Sequence, residues 1–151
     1  MSKIYFVQEV KYYGYDDKED ENIEECLIIG YFSSLDIVEK VVNLCIENGL
    51  LNSEIVVKSF DVDLNRNQKY VYVITHDYSI REENGTFTDY EYIFEPKSSR
   101  AECEALKCKL KELPKYKYSQ DRDYSTTPPD GFYICRYKIN QMVCPIVKYF
   151  S

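Results

Sequence analysis

Residues 69–79, "KYVYVITHDYS", can be laid over residues 3–13, "KIYFVQEVKYY", and that overlay decides the fold. At an offset of 66, Lys3 falls on Lys69, Val7 on Val73 and Tyr12 on Tyr78. Working outward, "LIIGYFSS" (27–34) falls on "YIFEPKSS" (92–99) at an offset of 65, with both serine pairs coinciding. "VDLN" (62–65) then falls on "YKIN" (137–140), after an insertion of about ten residues in the second half. The chain therefore reads as a tandem duplication. Residues 1–66 form the first repeat, residues 67–151 form the second with a C-terminal extension, and both are expected to pack as one compact unit through the short "NRNQK" link.

Each repeat reads strand, strand, helix, strand. In the second, Thr88, Tyr90, Tyr92 and Phe94 alternate with polar residues, the period of a half-buried strand. Asn84-Gly85 between two such runs signals a tight hairpin turn. Ser99 and Glu102 have capping-box spacing, Cys103, Leu106 and Leu110 share a helical face, and Pro114 stops the helix. In the first repeat, Ser33 and Ser34 open a helix striped by Val38, Val41, Val42 and Cys45, and Gly49 is placed to cap its end. A hairpin followed by a helical crossover returns the third strand parallel to the second. The compact right-handed solution sets it beside the first strand. The expectation is an α+β fold of two β-β-α-β repeats, each an antiparallel sheet of order 2-1-3 with one helix on a face. One such sheet alone has a marginal core. The tail "MVCPIVKYF" (142–150) can add one more strand, at an edge because of Pro145.

The second half resembles a small, uncharacterised bacterial domain family. Its members run YVL-x-H, then LIG-x-YSS, then an Ala/Glu-rich helix, then PDGF-x-I-x-x-Y-x-LD. "VYVITHDY" (71–78), "SSRAECEAL" (98–106) and "PDGFYICRYKIN" (129–140) carry that pattern, and "IYFVQEV", "LIIGYFSS" and "FDVDLN" are similar to it in the first half. The chain lacks the Trp-x-x-Gly-Phe ending associated with the family. The resemblance implies a β-β-α-β scaffold and brings no activity.

Composition bounds the rest. With 151 residues, 44% apolar and 30% charged, the chain can bury roughly two-thirds of its unfolded surface in a globular core. Sixteen Tyr, seven Phe and no Trp suit half-buried sheet positions and contact surfaces alike. The start "MSKIYFVQEV" has too short an apolar run for a signal peptide, and no run approaches a membrane span. A cytoplasmic location follows as an expectation, with the six cysteines as reduced thiols, mostly small core residues.

Charge is distributed unevenly. The ten positions Asp16–Glu25 hold seven carboxylates and one lysine, −6 of the chain's net −7. The run falls in the first hairpin, where the second repeat uses Asn-Gly. Asp16, Asp17, Glu19, Asp20, Glu21, Glu24 and Glu25, flanked by Tyr12, Tyr13 and Tyr15, form the candidate partner-binding surface. Such carboxylates can enter a basic groove in place of nucleic-acid phosphates, which accelerates and specifies association. Neither Asp16 nor Asp61 starts a calcium loop, because the turn glycine is missing from both, so no metal is expected. A secondary basic patch comprises Lys107, Lys109, Lys111, Lys115 and Lys117.

Catalytic signatures are missing: there is no Gly-x-Ser-x-Gly, no phosphate-cradling glycine loop and no His-Glu-x-x-His. The single histidine, His76, has Val10 as its counterpart, a packing position. The sequence thus points to a non-enzymatic acidic inhibitor without cofactor, monomeric or weakly dimeric. Its partner is expected to be a basic protein that handles nucleic acid, either a nuclease toxin met by its immunity protein or a defence nuclease blocked by a phage inhibitor such as an anti-CRISPR. An acidic chain is not expected to bind DNA or membrane directly. The alternative is a regulatory module holding RNA or a phosphorylated ligand on the segment 107–117.

Overall fold

The computed structural model describes residues 1–16, 21–48, 53–81, 83–85, 87–116 and 131–143. Along the chain run β1 (Ser2–Asp16), β2 (Glu21–Phe32), α1 (Leu35–Glu47), β3 (Ser53–Val62), β4 (Tyr70–Arg81), β5 (Phe87–Ile93), α2 (Arg100–Lys111) and β6 (Gly131–Lys138). They form two three-stranded antiparallel sheets, β2-β1-β3 and β5-β4-β6, so the first strand of each repeat lies in the middle of its sheet. The fold is α+β with two β-β-α-β units. Among the described residues, no helix is long and apolar enough to cross a membrane.

The chain separates into two units, Met1–Lys69 with Tyr137–Ser151, and Tyr70–Arg136. Numbering alone groups everything after residue 66 with the second repeat. The hydrogen bonds assign the segment after β6 to the first: Asn140 N–H donates to the Tyr31 carbonyl and Val143 N–H to that of Ile29, each at 2.9 Å, beside β2. Of the anticipated tail strand, 142–150, Met142 and Val143 are not in a strand, and the residues from Cys144 onward lie outside the described ones.

In the first unit, α1 covers one face of its sheet. Val7, Ile29, Phe32, Val38, Val41 and Cys45 make the core, with Tyr5, Ile37, Val42, Ile55 and Met142 packed around it. Val7 and Phe32 are fully buried, each contributing about 1.5–3 kcal/mol. Ser34 is the N-cap of α1: its backbone is extended (φ −148°) and its hydroxyl accepts the Ile37 N–H at 3.3 Å. The last described residue of the helix end is its C-cap Asn48, and Gly49, the anticipated capping glycine in the next position, lies outside the described residues. The Asn48 side chain donates to the Leu44 carbonyl at 2.7 Å, satisfying one of the carbonyls at the helix end.

In the second unit, α2 starts at Ser99, whose hydroxyl accepts the Glu102 N–H at 3.2 Å. The Glu102 carboxylate reaches back to Ser98, accepting from its N–H at 3.0 Å and its hydroxyl at 2.9 Å. This is a capping box displaced by one residue. Cys103 and Leu110 are buried beneath the helix and Leu106 is half-buried. Gly85 takes the left-handed backbone (φ 85°) that its hairpin turn demands. Pro114 opens a single 3-10 turn, Pro114–Tyr116.

The duplication is visible in the pairing itself. Adding 66 to both members of the Phe6–Tyr31 pair gives the Tyr72–Lys97 pair, and the same shift carries Val10–Cys26 onto His76–Tyr92. Both hairpins bulge at the same rung. In the first, the register slips between Val7 and Gln8, leaving Ile29 as the extra residue of β2. In the second, it slips between Tyr72 and Ile74, whose carbonyl accepts the Phe94 N–H at 3.0 Å. The helix caps, by contrast, stand at an offset of 65. The serine match therefore aligns the helices, while the strands align one residue further on.

Candidate functional site

The first hairpin is longer than its sheet. Among the described residues, β3 pairs with β1 from Ser2 to Lys11, while β1 and β2 continue pairing with each other alone as far as Asp16 opposite Glu21. Five further residues at about 3.3 Å each make a two-stranded arm about 17 Å long. Lys11 with Glu25 is the last rung that β3 also joins, and the arm's own rungs include Tyr12 with Glu24 and Tyr15 with Asn22. A second register slip between Tyr12 and Gly14 leaves Tyr13 opposite no residue of β2. The arm therefore gathers Tyr12, Tyr13, Tyr15, Asp16, Glu21 and Glu24 from the candidate acidic surface, with Glu25 at its base on the last three-stranded rung. Asp17, Glu19 and Asp20, in the connection at its end, lie outside the described residues.

The lysine patch is less coherent. Lys107 and Lys111 stand four residues apart and share a side of α2, whereas Lys109 falls on the other side. Lys107 is half-buried and pairs with Glu104 at 3.7 Å. Lys109 and Lys111 occupy the last turn, where cations favour the helix dipole. Lys115 belongs to the 3-10 turn, and Lys117 lies outside the described residues.

His76 is buried among rings, with centroids 4.9 Å from Tyr116 and 4.8 Å from Phe132. Tyr116 and Phe132 in turn touch each other at 5.3 Å. Its cross-strand partner is Tyr92, while the next rung opposes Asp77 to Glu91. Successive residues of a strand face opposite sides, so that carboxyl pair is on the face away from the imidazole. Burial pushes both the Asp77 and Glu91 carboxyls above the usual carboxylate range, and the Asp77 charge adds to the rise at Glu91. Burial also raises the Cys103 thiol to about 11, and the Cys45 thiol is raised first by burial and then by the Glu9 carboxylate. Cys108 and Cys135 are exposed.

A cleft of about 560 Å³ opens in the first unit. Lys3 from β1, Arg66 and Lys69 from the link between repeats, and Lys138 from the end of β6 stand around it. Among the described residues, none that lines it is a carboxylate. Lys3 bonds Asp61 at 3.3 Å, both side chains being more than half exposed. Its walls are tied by hydrogen bonds. The Asn140 carbonyl oxygen Oδ1 accepts the Ser33 N–H at 2.8 Å and the Ser33 hydroxyl at 3.2 Å. Asn140 itself is held at φ 66°. The link closes as a turn, with Gln68 N–H donating to the Asn65 carbonyl at 3.0 Å and Gln68 Oε1 accepting the Asn65 N–H at 3.2 Å. By sequence alone "NRNQK" is a connector, and the cleft does not show. The one available signal was two cations in a five-residue link of an otherwise acidic chain.

Comparison with protein-family models, with curated proteins and with solved structures finds no match to this chain.

Proposed function

We propose that the protein is a non-catalytic inhibitor whose acidic arm docks into a basic, nucleic-acid-handling surface of a partner protein. A nuclease toxin met by its immunity protein, or a defence nuclease met by a phage inhibitor, supplies such a surface. The observation that carries this reading is the pairing pattern. Among the described residues, Asp16, Glu21 and Glu24 pair beyond Lys11–Ser53, the last rung that β3 joins, so they are not needed to hold the three-stranded sheet. Concentrated charge there speeds encounter with a cationic groove, and the neighbouring tyrosines bring contact area at low entropic cost. The alternative, RNA or a phosphorylated ligand on α2, has weaker support because Lys109 diverges from Lys107 and Lys111.

The test uses the nuclease encoded nearest to this chain's gene as the probe. The purified protein is expected to suppress its cleavage of nucleic acid at low salt, and progressively less as salt screens the contact. Reversing Asp16, Asp17, Glu19 and Asp20 to lysine is expected to weaken inhibition by about a hundredfold or more while circular dichroism stays unchanged. Full inhibition by the reversed variant would remove the arm from the mechanism.

A further inference from the structure

We propose that the cleft bounded by Lys3, Arg66, Lys69 and Lys138 binds a small, multiply charged phosphate ligand of the nucleoside polyphosphate class. This goes beyond the arm reading and rests on different residues.

The four cations come from distant points of the sequence, and the fold brings them to one cavity. Among the described residues, Arg66, Lys69 and Lys138 have no carboxylate partner, and the cleft is lined by none, although the chain has 26 acids against 19 bases. Of the four, Lys3 alone has a counter-charge, in Asp61, and an anion bound between the like charges relieves the repulsion among the rest. A volume of about 560 Å³ far exceeds one phosphate and falls in the range of small-molecule sites. Arg66 offers a planar fork suited to phosphate oxygens, and the three lysines add point charges that match a polyphosphate tail. Half-buried Leu64 and Ile139 give the cleft an apolar portion against which the organic part can lie.

The walls are set before any ligand arrives. Ser33 is bonded to Asn140, the link is a closed turn, and Ile139 N–H donates to the Lys69 carbonyl at 2.8 Å. Preorganisation of this kind lowers the entropic cost of binding. A long nucleic acid is disfavoured by the chain's overall negative charge. A compact anion within one Debye length, about 8–10 Å, is governed by the local cations instead.

Isothermal titration of the full chain with ATP, pyrophosphate, inorganic phosphate and a short single-stranded RNA tests this. ATP and pyrophosphate are expected to bind. Inorganic phosphate should be weaker by about tenfold or more, because each charge-assisted hydrogen bond that a shorter anion cannot make is worth roughly that factor. Arg66→Ala with Lys138→Ala, both at exposed positions, is expected to weaken ATP about a hundredfold and to leave the melting temperature unchanged. Lys109→Ala with Lys111→Ala, and the charge-reversed arm, are expected to leave ATP binding intact, which separates this site from the acidic surface. Absence of ATP and pyrophosphate binding up to about 1 mM, equal ATP affinity in the Arg66/Lys138 variant, or binding of the RNA alone would overturn the proposal.

Discussion

The two hairpins match rung for rung from Phe6–Tyr31 and Tyr72–Lys97 up to Tyr12–Glu24 and Tyr78–Tyr90, and then part. The first bulges again at Tyr13 and runs on to Asp16, carrying nearly all the net charge. The second turns at Asn84-Gly85. Folding of the shared scaffold needs only the rungs both copies keep. Both hairpins then pair for three further rungs, to Asp16–Glu21 and to Arg81–Phe87, so what one copy adds is the second bulge and the acidic composition rather than paired length. The cores differ in the same spirit. The helix of the first unit buries Val38, Val41 and Cys45 over its sheet, while that of the second buries Cys103 and Leu110 and is otherwise mostly polar.

Substitutions can break this comparison, beginning with the largest effect. Phe32 is fully buried in the first core, and at the 66-residue offset of the strands its position is taken by Ser98. Phe32→Ala is expected to cost about 3–5 kcal/mol in urea unfolding, a loss with no counterpart in the second copy. Next comes the shared bulge. Gly30 follows the extra residue in the first hairpin, and Pro96 holds the equivalent place in the second. A Cβ on Gly30 would stand 2.8 Å from the Phe32 ring and 2.9 Å from the Gln141 carbonyl. Gly30→Ala should therefore cost about 1–3 kcal/mol, again read by urea unfolding.

The caps should behave alike: Ser34→Ala and Ser99→Ala are each expected to lose about 1 kcal/mol in thermal or urea melts. A marked inequality would show that one helix does not depend on its cap.

The smallest effect sharpens one rung. Lys11–Glu25 pairs opposite charges in the first hairpin, whereas Asp77–Glu91 pairs like charges in the second. Burial raises both of the latter carboxyls in the folded state, so above the ordinary carboxylate range the folded chain holds protons that the unfolded chain has released. This pair's contribution to stability therefore falls as pH rises through that window. Asp77→Asn should flatten the decline and raise the melting temperature at neutral pH, measured in a series of melts from acid to neutral.

Much of the architecture was legible because its signals are local. Ser34 and Ser99 announce helix starts through their own hydroxyls, Asn84-Gly85 announces a turn, and strand–strand–helix–strand order leaves few topologies. Other features had no local signature. A bulge changes which residues face each other without changing composition, so the serines aligned the helices and misaligned the strands by one. Residues 137–143 look like the end of the second repeat, and nothing in their pattern says that Tyr31 and Ile29 will receive their hydrogen bonds. The cleft was invisible for the same reason: Lys3, Arg66, Lys69 and Lys138 meet only once the fold exists. For the acidic surface, the sequence showed the charge, and the register added the arm.

The assignment of Tyr137–Ser151 to the first unit has a consequence for biosynthesis. The repeat translated first lacks its partner for Tyr31 and Ile29 until about seventy more residues have been made, several seconds later at ordinary elongation rates. The repeat translated second builds its sheet from β4, β5 and β6, which lie in one stretch from Tyr70 to Lys138. The opening sheet has all three of its strands early, while the hydrogen bonds that Asn140 and Val143 give to its β2 edge wait until the later module has been built.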